Sequence, residues 1–137
     1  MKFVDLGLPS GTLWAERNED NYYDFDEAVS KYGDSLPTLD QLEELKDQCK
    51  WEWMDDEYKV VGPNGNTIVL PAEGYLDCDG DVDDVNSYGY CWTSTPNKSN
   101  SAWYLYFGSM GVSMLRGRRC YGHSVRLIKK TRKVIER

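Results

Sequence analysis

The sequence predicts one α+β domain, in which two helices accompany a mixed, mainly antiparallel sheet that ends in a C-terminal β-hairpin. Two segments begin with helix-capping patterns and continue with apolar residues at helical spacing. Several shorter segments alternate apolar and polar residues with a period of two, and turn-forming residues separate them. With 137 residues and no internal repeat or linker, we expect a single domain over residues 1–128 and a basic C-terminal tail at 129–137.

The N-terminal part of the chain contains two predicted strands and the first helix. Residues 3–8 and 12–15 are expected to form short strands around a Pro-Ser-Gly turn. Asp24 is the expected N-cap of the first helix because Glu27 follows three residues later, and Gly33 is its expected end. The predicted order is therefore strand, strand, helix.

The central part contains the second helix, a strand pair and an acidic loop. Thr38 and Gln41 form a predicted capping box, followed by leucines at helical spacing. Residues 58–61 and 67–70 are predicted strands, because an Asn-Gly turn signal separates two apolar runs. Residues 77–87 carry so many carboxylates that a long acidic loop is expected.

The most informative stretch, residues 102–115, predicts a hairpin with two different faces. Its apolar face is expected in the core and consists of Trp103, Leu105, Phe107, Met110, Val112 and Met114. A type II′ turn at residues 108–109 predicts three pairs on this face, namely Phe107 with Met110, Leu105 with Val112, and Trp103 with Met114. Packing does not dictate the other face, with Tyr104, Tyr106 and Ser113, so a ligand is free to select its residues.

Two further strands complete the expected sheet. Residues 90–95 predict a strand before the hairpin, and residues 124–128 predict one that closes the sheet. Arg126 interrupts the apolar pattern of the closing strand. We expect it to be structural and paired with an acidic residue, for which Asp5 is one candidate.

Charge is distributed unevenly between the two parts of the chain. Residues 1–90 contain 6 basic and 22 acidic side chains, whereas residues 91–137 contain 10 basic and 1 acidic. The two parts would attract each other on folding; alternatively, the basic part forms a surface for anionic partners. The basic residues form no nucleic-acid motif, and the chain as a whole is acidic, so we expect no nucleic-acid partner.

The N-terminus and the cysteines bear on location. The N-terminus lacks the apolar region of a signal peptide, and no run is long enough to span a membrane. Unless an export segment precedes this sequence, we therefore expect a cytoplasmic or phage-particle-associated protein. Cys49, Cys78, Cys91 and Cys120 show no zinc-binding spacing, and free thiols in a reducing compartment are expected.

Two features suggest metal or catalytic chemistry, and each has a plainer interpretation. Asp77, Asp79 and Asp81 invite a calcium hypothesis, but an EF-hand loop needs glycine at its sixth position and glutamate at its twelfth, and this loop has neither. A solvated acidic loop without metal or cofactor is expected. His123 is the only histidine and has no nucleophile motif around it, so we expect a displayed or hydrogen-bonding side chain.

Several ordered phrases between residues 4 and 128 carry a resemblance to a known family. They are VDLGLPSGTLWA, LPTLDQLEEL, CKWEW, YKVVGPNGNTIVLPAEGY, YGYCWTSTP, AWYLYF and GHSVRL. Together they resemble the Fibrobacter succinogenes major paralogous domain, which implies a C-type lectin-like fold. Some proteins of that family resemble the variable proteins of diversity-generating retroelements, in which mutated adenines change the displayed residues.

That resemblance implies a non-enzymatic module that binds a protein or glycan ligand on a cell surface. The implied variable face consists of residue types reachable from asparagine-like codons, namely Ser101, Tyr104, Tyr106, Gly108, Gly111, Ser113, Leu115, Arg116, Gly117, Arg118, Cys120, Tyr121 and His123. Trp103, Met110 and Met114 are not reachable from such codons and are expected at non-displayed positions. The alternative is an undiversified lectin-like or adhesin module of the same family.

A rival enzyme hypothesis comes from the formylglycine-generating enzymes, which share the broad fold. They depend on a reactive cysteine pair, for which Cys91 and Cys120 would be the candidates here. These enzymes are larger than this chain, and we expect no enzymatic activity.

Overall fold

The computed structural model describes residues 2–130 and places two helices among eleven strands in that range. The helices are α1 (Phe25–Tyr32) and α2 (Leu39–Gln48), with a 3₁₀ turn at Gly33–Ser35 between them. The strands are β1 (Phe3–Asp5), β2 (Leu13–Ala15), β3 (Lys50–Trp53), β4 (Glu57–Val61), β5 (Thr67–Pro71), β6 (Tyr75–Leu76), β7 (Val82–Asp83), β8 (Tyr88–Lys98), β9 (Ser101–Gly108), β10 (Gly111–Arg118) and β11 (Ile128–Lys129). The predicted α+β class is confirmed.

The strands form four small antiparallel sheets. Their orders are β1-β2-β11, β10-β9-β8, β3-β4-β5 and β6-β7. The first sheet joins the two ends of the described chain, because Ile128 pairs with Trp14. The β10-β9-β8 sheet has the longest strands. One side packs on the main core through Leu105 and Phe107, and part of the other side packs on a second buried cluster around Trp92.

Both helices begin where the capping patterns predicted. The Asp24 side chain accepts the Glu27 backbone N–H, and the Glu27 carboxylate accepts the Asp24 N–H in return. Thr38 and Gln41 make the same reciprocal pair at α2. These pairs satisfy backbone donors that the first turn of a helix leaves free.

The hairpin register differs from the predicted one. The two-residue loop is Ser109–Met110, and Gly108 pairs with Gly111 as the last pair of the ladder. Gly108 pairs with Tyr88 as a strand residue, and the Tyr88 ring packs against it so closely that a Cβ there would lie 2.6 Å from a ring carbon. The hairpin pairs are therefore Phe107–Val112, Leu105–Met114 and Trp103–Arg116.

This shift keeps residues 103–107 and 111–115 on their predicted sides of the strands, but it corrects two placements. Met110 lies at the hairpin tip and is 97% exposed, so its expected core position is wrong. Trp103 is half-buried and carries the guanidinium of Arg116 at 5.1 Å from its ring centroid. Leu105 and Phe107 are fully buried, as predicted, and Val112 and Met114 pack partly buried against the core.

The segment predicted to close the sheet pairs as a strand only at its end. Ser124 makes an isolated bridge with Cys91, and Val125 accepts a backbone hydrogen bond from Glu19. The backbone of this segment is thus shared among several partners, and only β11 forms a ladder. Lys129 belongs to that strand, and the predicted tail beyond Lys130 lies outside the described residues.

Arg126 is structural, but the expected acidic partner is wrong. Its guanidinium is 1% exposed and donates to Asn18 Oδ1 at 2.7 Å, to the Ala15 carbonyl at 3.0 Å and to the Val69 carbonyl. Burial lowers its pKa to about 10. Neutral acceptors from three elements therefore hold this cation.

Phe107 lies near the hairpin end of β9 on the core side of the sheet, and its truncation provides a test of the core. The ring is fully buried and contacts Tyr58 at 5.7 Å between centroids. We expect Phe107→Ala to lower the free energy of unfolding by about 3–5 kcal/mol, because it leaves a cavity. Urea melts measure the loss. The exposed Ser113→Ala should change it by less than about 0.5 kcal/mol, and equal losses would contradict this core.

Candidate ligand-binding site

One side of the β10-β9-β8 sheet carries a continuous set of aromatic rings. In the observed register Tyr90 pairs with Tyr106, and Trp92 pairs with Tyr104. Directly paired residues of an antiparallel sheet lie on the same face. We call this side the tyrosine face, and its members are Tyr88, Tyr90, Trp92, Tyr104, Tyr106, Ser113 and Leu115.

The rings of the tyrosine face contact one another in sequence. Tyr88 stacks on Tyr106 with centroids 5.4 Å apart, Tyr106 meets Tyr90 at 5.3 Å, and Tyr90 meets Tyr104 at 5.9 Å. Two glycines make room for them. A Cβ at Gly117 would lie 2.8 Å from the Tyr104 ring, just as one at Gly108 would meet Tyr88. The rings of Tyr88 and Tyr104 therefore lie over glycines of the neighbouring strands, β9 and β10.

A pocket of about 170 Å³ opens where this face meets the segment after β10. Four tyrosines and the single histidine line it, and we call it the histidine pocket: Tyr75, Tyr90, Tyr104, Tyr121 and His123. Tyr75 reaches the pocket from β6 and contacts Tyr90 at 4.8 Å and Tyr121 at 5.5 Å. Four separate parts of the chain thus build one small cavity.

His123 is fixed in this pocket by its backbone and by the surrounding rings. Its N–H and carbonyl both bond Tyr23, at 2.9 and 3.0 Å. The imidazole lies 4.4 Å from Trp92 and 4.7 Å from Tyr104 between ring centroids, and it stacks on Tyr90 at 5.1 Å. The ring is therefore held on several sides by aromatic groups.

The imidazole of His123 has unused hydrogen-bonding capacity. It is 2% exposed, and neither Nδ1 nor Nε2 has a hydrogen-bond partner among the described residues. Burial lowers its pKa to about 3, so the neutral ring offers one N–H donor and one acceptor nitrogen. Buried polar groups are nearly always hydrogen-bonded, which makes this side chain an exception that a ligand would resolve.

A second cavity lies at the tip of the hairpin, next to the histidine pocket. It measures about 230 Å³ and is lined by Tyr88, Tyr106, Gly108, Met110, Gly111, Val112 and Ser113. Tyr106 stands between the two cavities, because it contacts both Tyr88 and Tyr90. The two cavities therefore form one extended surface.

The structure brings together more than half of the residues in the predicted variable face. Tyr104, Tyr121 and His123 line the histidine pocket, whereas Tyr106, Gly108, Gly111 and Ser113 line the tip cavity. Leu115 lies on the same face and is 38% exposed. Ser113 is exposed as expected, but Tyr104 and Tyr106 are partly buried and not substantially exposed. Their rings pack on neighbouring tyrosines, and Tyr104 also contacts the buried Trp92.

The remaining predicted positions lie elsewhere or have another role. Ser101, Arg116 and Arg118 lie on the opposite side of the sheet, and Ser101 Oγ accepts a hydrogen bond from Asn97 at 3.0 Å. Gly117 supports the Tyr104 ring.

His123 also differs from the displayed or hydrogen-bonding side chain that was expected, since it is buried and neither ring nitrogen has a hydrogen-bond partner among the described residues. It forms the floor of the pocket, because its paired backbone turns the imidazole inward between Trp92 and Tyr104.

The expectation of four free thiols is wrong. Cys78 and Cys120 form a disulfide with Cα atoms 5.1 Å apart, which ties the acidic loop to the residue before Tyr121. Cys120 is therefore exposed, and it also takes part in a disulfide crosslink. The cysteine pair of the rival enzyme hypothesis is not formed, since Cys91 is a buried free thiol whose pKa burial raises to about 12.

The acidic loop uses carboxylates to shape its turns. Asp77 Oδ1 accepts the backbone N–H groups of Asp79 and Asp81 at 2.9 and 3.0 Å. Among residues 2–130, no group of three or more acidic, histidine or cysteine side chains is arranged to hold a metal ion. Asp84 connects this loop to the site, because its carboxylate accepts the Tyr90 hydroxyl at 2.8 Å.

Sequence reasoning missed Tyr75, Tyr88 and Tyr90. The alternation of YGYCW places Tyr88, Tyr90 and Trp92 on one side of a strand and was a usable signal for two of them. Tyr75 gave no such signal. Its position depends on the pairing of β6 with β7 and of Leu76 with Gly122, which connects distant parts of the chain.

His123 makes a testable contribution to acid sensitivity. Its pKa is lowered from 6.5 to about 3 by burial, so the unfolded chain takes up a proton that the folded chain excludes. Its stabilising contribution is complete above pH 6.5 and falls as the pH drops toward 3, by about 1.4 kcal/mol per pH unit. Urea melts at about pH 7 and about pH 5.5 measure this slope. His123→Phe should flatten it; an unchanged slope would place the titration elsewhere.

The disulfide makes a second testable contribution. Because 42 residues separate Cys78 from Cys120, we expect Cys78→Ser to lower the free energy of unfolding by about 2–4 kcal/mol. Dithiothreitol should bring the wild-type protein to the stability of the variant and leave the variant unchanged. Denaturant melts with and without reductant measure both effects, and a wild-type protein insensitive to reductant would contradict the crosslink.

Comparisons with known proteins give one match. No curated protein and no solved structure matches the chain. No helix within residues 2–130 is long and apolar enough to cross a membrane. Residues 37–128 match the family described as a domain of unknown function (DUF8237), and this range contains α2 and strands β3 to β10 together with both cavities. The chain therefore belongs to this DUF8237 family.

Proposed function

We propose that this protein is a non-enzymatic binding module that recognises a protein or glycan ligand through its tyrosine face. The observation that carries the proposal is the histidine pocket, where a buried imidazole without hydrogen-bond partners lies among four tyrosine rings. Tyrosine suits recognition because it offers a large contact area and a polar tip at little entropy cost. A ligand that fills the pocket would give His123 the partner that the described chain does not provide.

A C-type lectin-like fold is part of this proposal. Two helices, terminal strands that pair with each other, and a long sheet that ends in a hairpin are consistent with it. Leu105 and Phe107 are buried on one side of this sheet, and Ser113 is exposed on the other. Such a fold lets surface residues change while the core is kept.

Diversification by a retroelement is the more specific form of the proposal. Tyr106, Ser113 and Leu115 support it, since they face away from the core and can change without a loss of core packing. Gly108 and Cys120 are less tolerant positions, because one supports a tyrosine ring and the other a disulfide. Flanking DNA with a near-identical template repeat that differs at adenines, beside a reverse transcriptase gene, would support diversification. Its absence would favour the undiversified lectin-like or adhesin module.

Binding variants test the recognition function directly. Fluorescently labelled protein is screened on a printed glycan array and on purified cell-surface proteins, and the affinities of the ligands found are then measured. We expect Tyr106→Ala/Ser113→Ala/Leu115→Ala to remain folded and to lose at least about tenfold in affinity, since aromatic anchors dominate recognition. The matched control is Arg116→Ala/Arg118→Ala on the opposite side of the sheet. A control that loses as much affinity, or a wild-type protein without a ligand of either class, would contradict the proposal.

A further inference from the structure

The histidine pocket has the form of an aromatic cage. Its four tyrosine rings come from β6, β8, β9 and the segment after β10, and neighbouring rings are inclined by 59° for Tyr75–Tyr90, 85° for Tyr75–Tyr121 and 42° for Tyr90–Tyr104. Inclined rings surround a small volume and do not form one flat platform. Cages of this kind bind ammonium groups through the negative faces of the rings.

The charged groups that act on this cage are carboxylates. Asp84 accepts the Tyr90 hydroxyl at 2.8 Å. Burial raises the pKa of Tyr75, and the nearby carboxylates of Asp83, Asp84 and Asp77 raise it further. The acidic loop therefore places negative charge beside the rings, and a cation in the pocket gains from this field.

The floor of the pocket suits the same ligand. The His123 ring is neutral, so it does not repel a cation, and its unprotonated nitrogen has no partner among the described residues. An ammonium group carries three N–H donors and no acceptor. One of these donors would give the buried nitrogen the hydrogen bond that it lacks.

We propose that the histidine pocket binds an alkylammonium cation, the side chain of a lysine on a protein ligand. This inference rests on the proposed recognition function and names the chemistry of its ligand. The ammonium lies among Tyr75, Tyr90, Tyr104 and Tyr121, with the acidic loop on one side and the imidazole of His123 beside it. A neutral sugar also stacks on tyrosine and donates hydroxyls to carboxylates, but it carries no charge for the field of the carboxylates to stabilise.

The direct test is a titration with small probes, followed by the ¹H–¹⁵N NMR spectrum of the full chain. N-acetyl-lysine methylamide should bind with shifts at Tyr75, Tyr121 and His123. N-acetyl-norleucine methylamide, which has the same alkyl chain without the charge, should bind at least about tenfold more weakly. Methyl α-glucopyranoside is the sugar probe, and it should produce no shifts at these residues.

A charge-neutralising variant tests the role of the loop. Asp84 has a backbone φ of +63°, which asparagine also tolerates, and asparagine still accepts the Tyr90 hydroxyl. We expect Asp84→Asn to weaken the lysine probe about fivefold. Asp79→Asn removes the same charge from an exposed position of the same loop and should leave the affinity within about twofold. The amide spectrum of each variant verifies its fold.

Each outcome has a defined meaning. The inference is supported when the lysine probe binds more tightly than the norleucine probe, and when Asp84→Asn, but not Asp79→Asn, weakens the binding of the lysine probe. Equal binding of the two amino-acid probes, preferential binding of the sugar, or no binding of lysine overturns it. The recognition function is tested separately by the variants of Tyr106, Ser113 and Leu115, so it can stand when the lysine inference fails.

Discussion

The pairing of β8, β9 and β10 is the constraint on which the rest of the structure depends. A slip of one residue would turn each tyrosine into the core and each core residue into solvent. The Ser109–Met110 loop and the strand positions of Gly108 and Gly111 exclude that slip. Phe107 stabilises the same register from the core side of the sheet. Its ring lies against Gly89, where a Cβ would be 1.9 Å from a ring carbon.

The sequence predicted those parts of the fold that depend on near neighbours. Capping boxes located both helices because their partners are three residues apart, and alternation assigned the buried side of β9 correctly. The predicted turn at Gly108-Ser109 was wrong by one residue, because the observed turn is Ser109-Met110. The two turns are distinguished only by the side chain that packs against Gly108. That contact comes from Tyr88, twenty positions away, and local turn chemistry does not contain it.

The candidate site was predicted only in part, for the same reason. Tyr104, Tyr106 and Ser113 follow from the pleat of one hairpin, whereas the pocket needs Tyr75 and the inward turn of His123. Those depend on pairing with β7 and with Tyr23, and on a disulfide that no spacing rule revealed. The site thus combines a predictable strand face with distant residues.

His123 is a neutral, buried imidazole, and neither of its ring nitrogens has a hydrogen-bond partner among the described residues. The ¹⁵N chemical shifts of its ring, measured at about pH 5.5 with and without N-acetyl-lysine methylamide, test this most directly. Our account predicts a neutral tautomer in the free protein and a shift of the unprotonated nitrogen when the probe binds. A protonated ring in the free protein, or ring shifts unchanged at saturating probe, would contradict it.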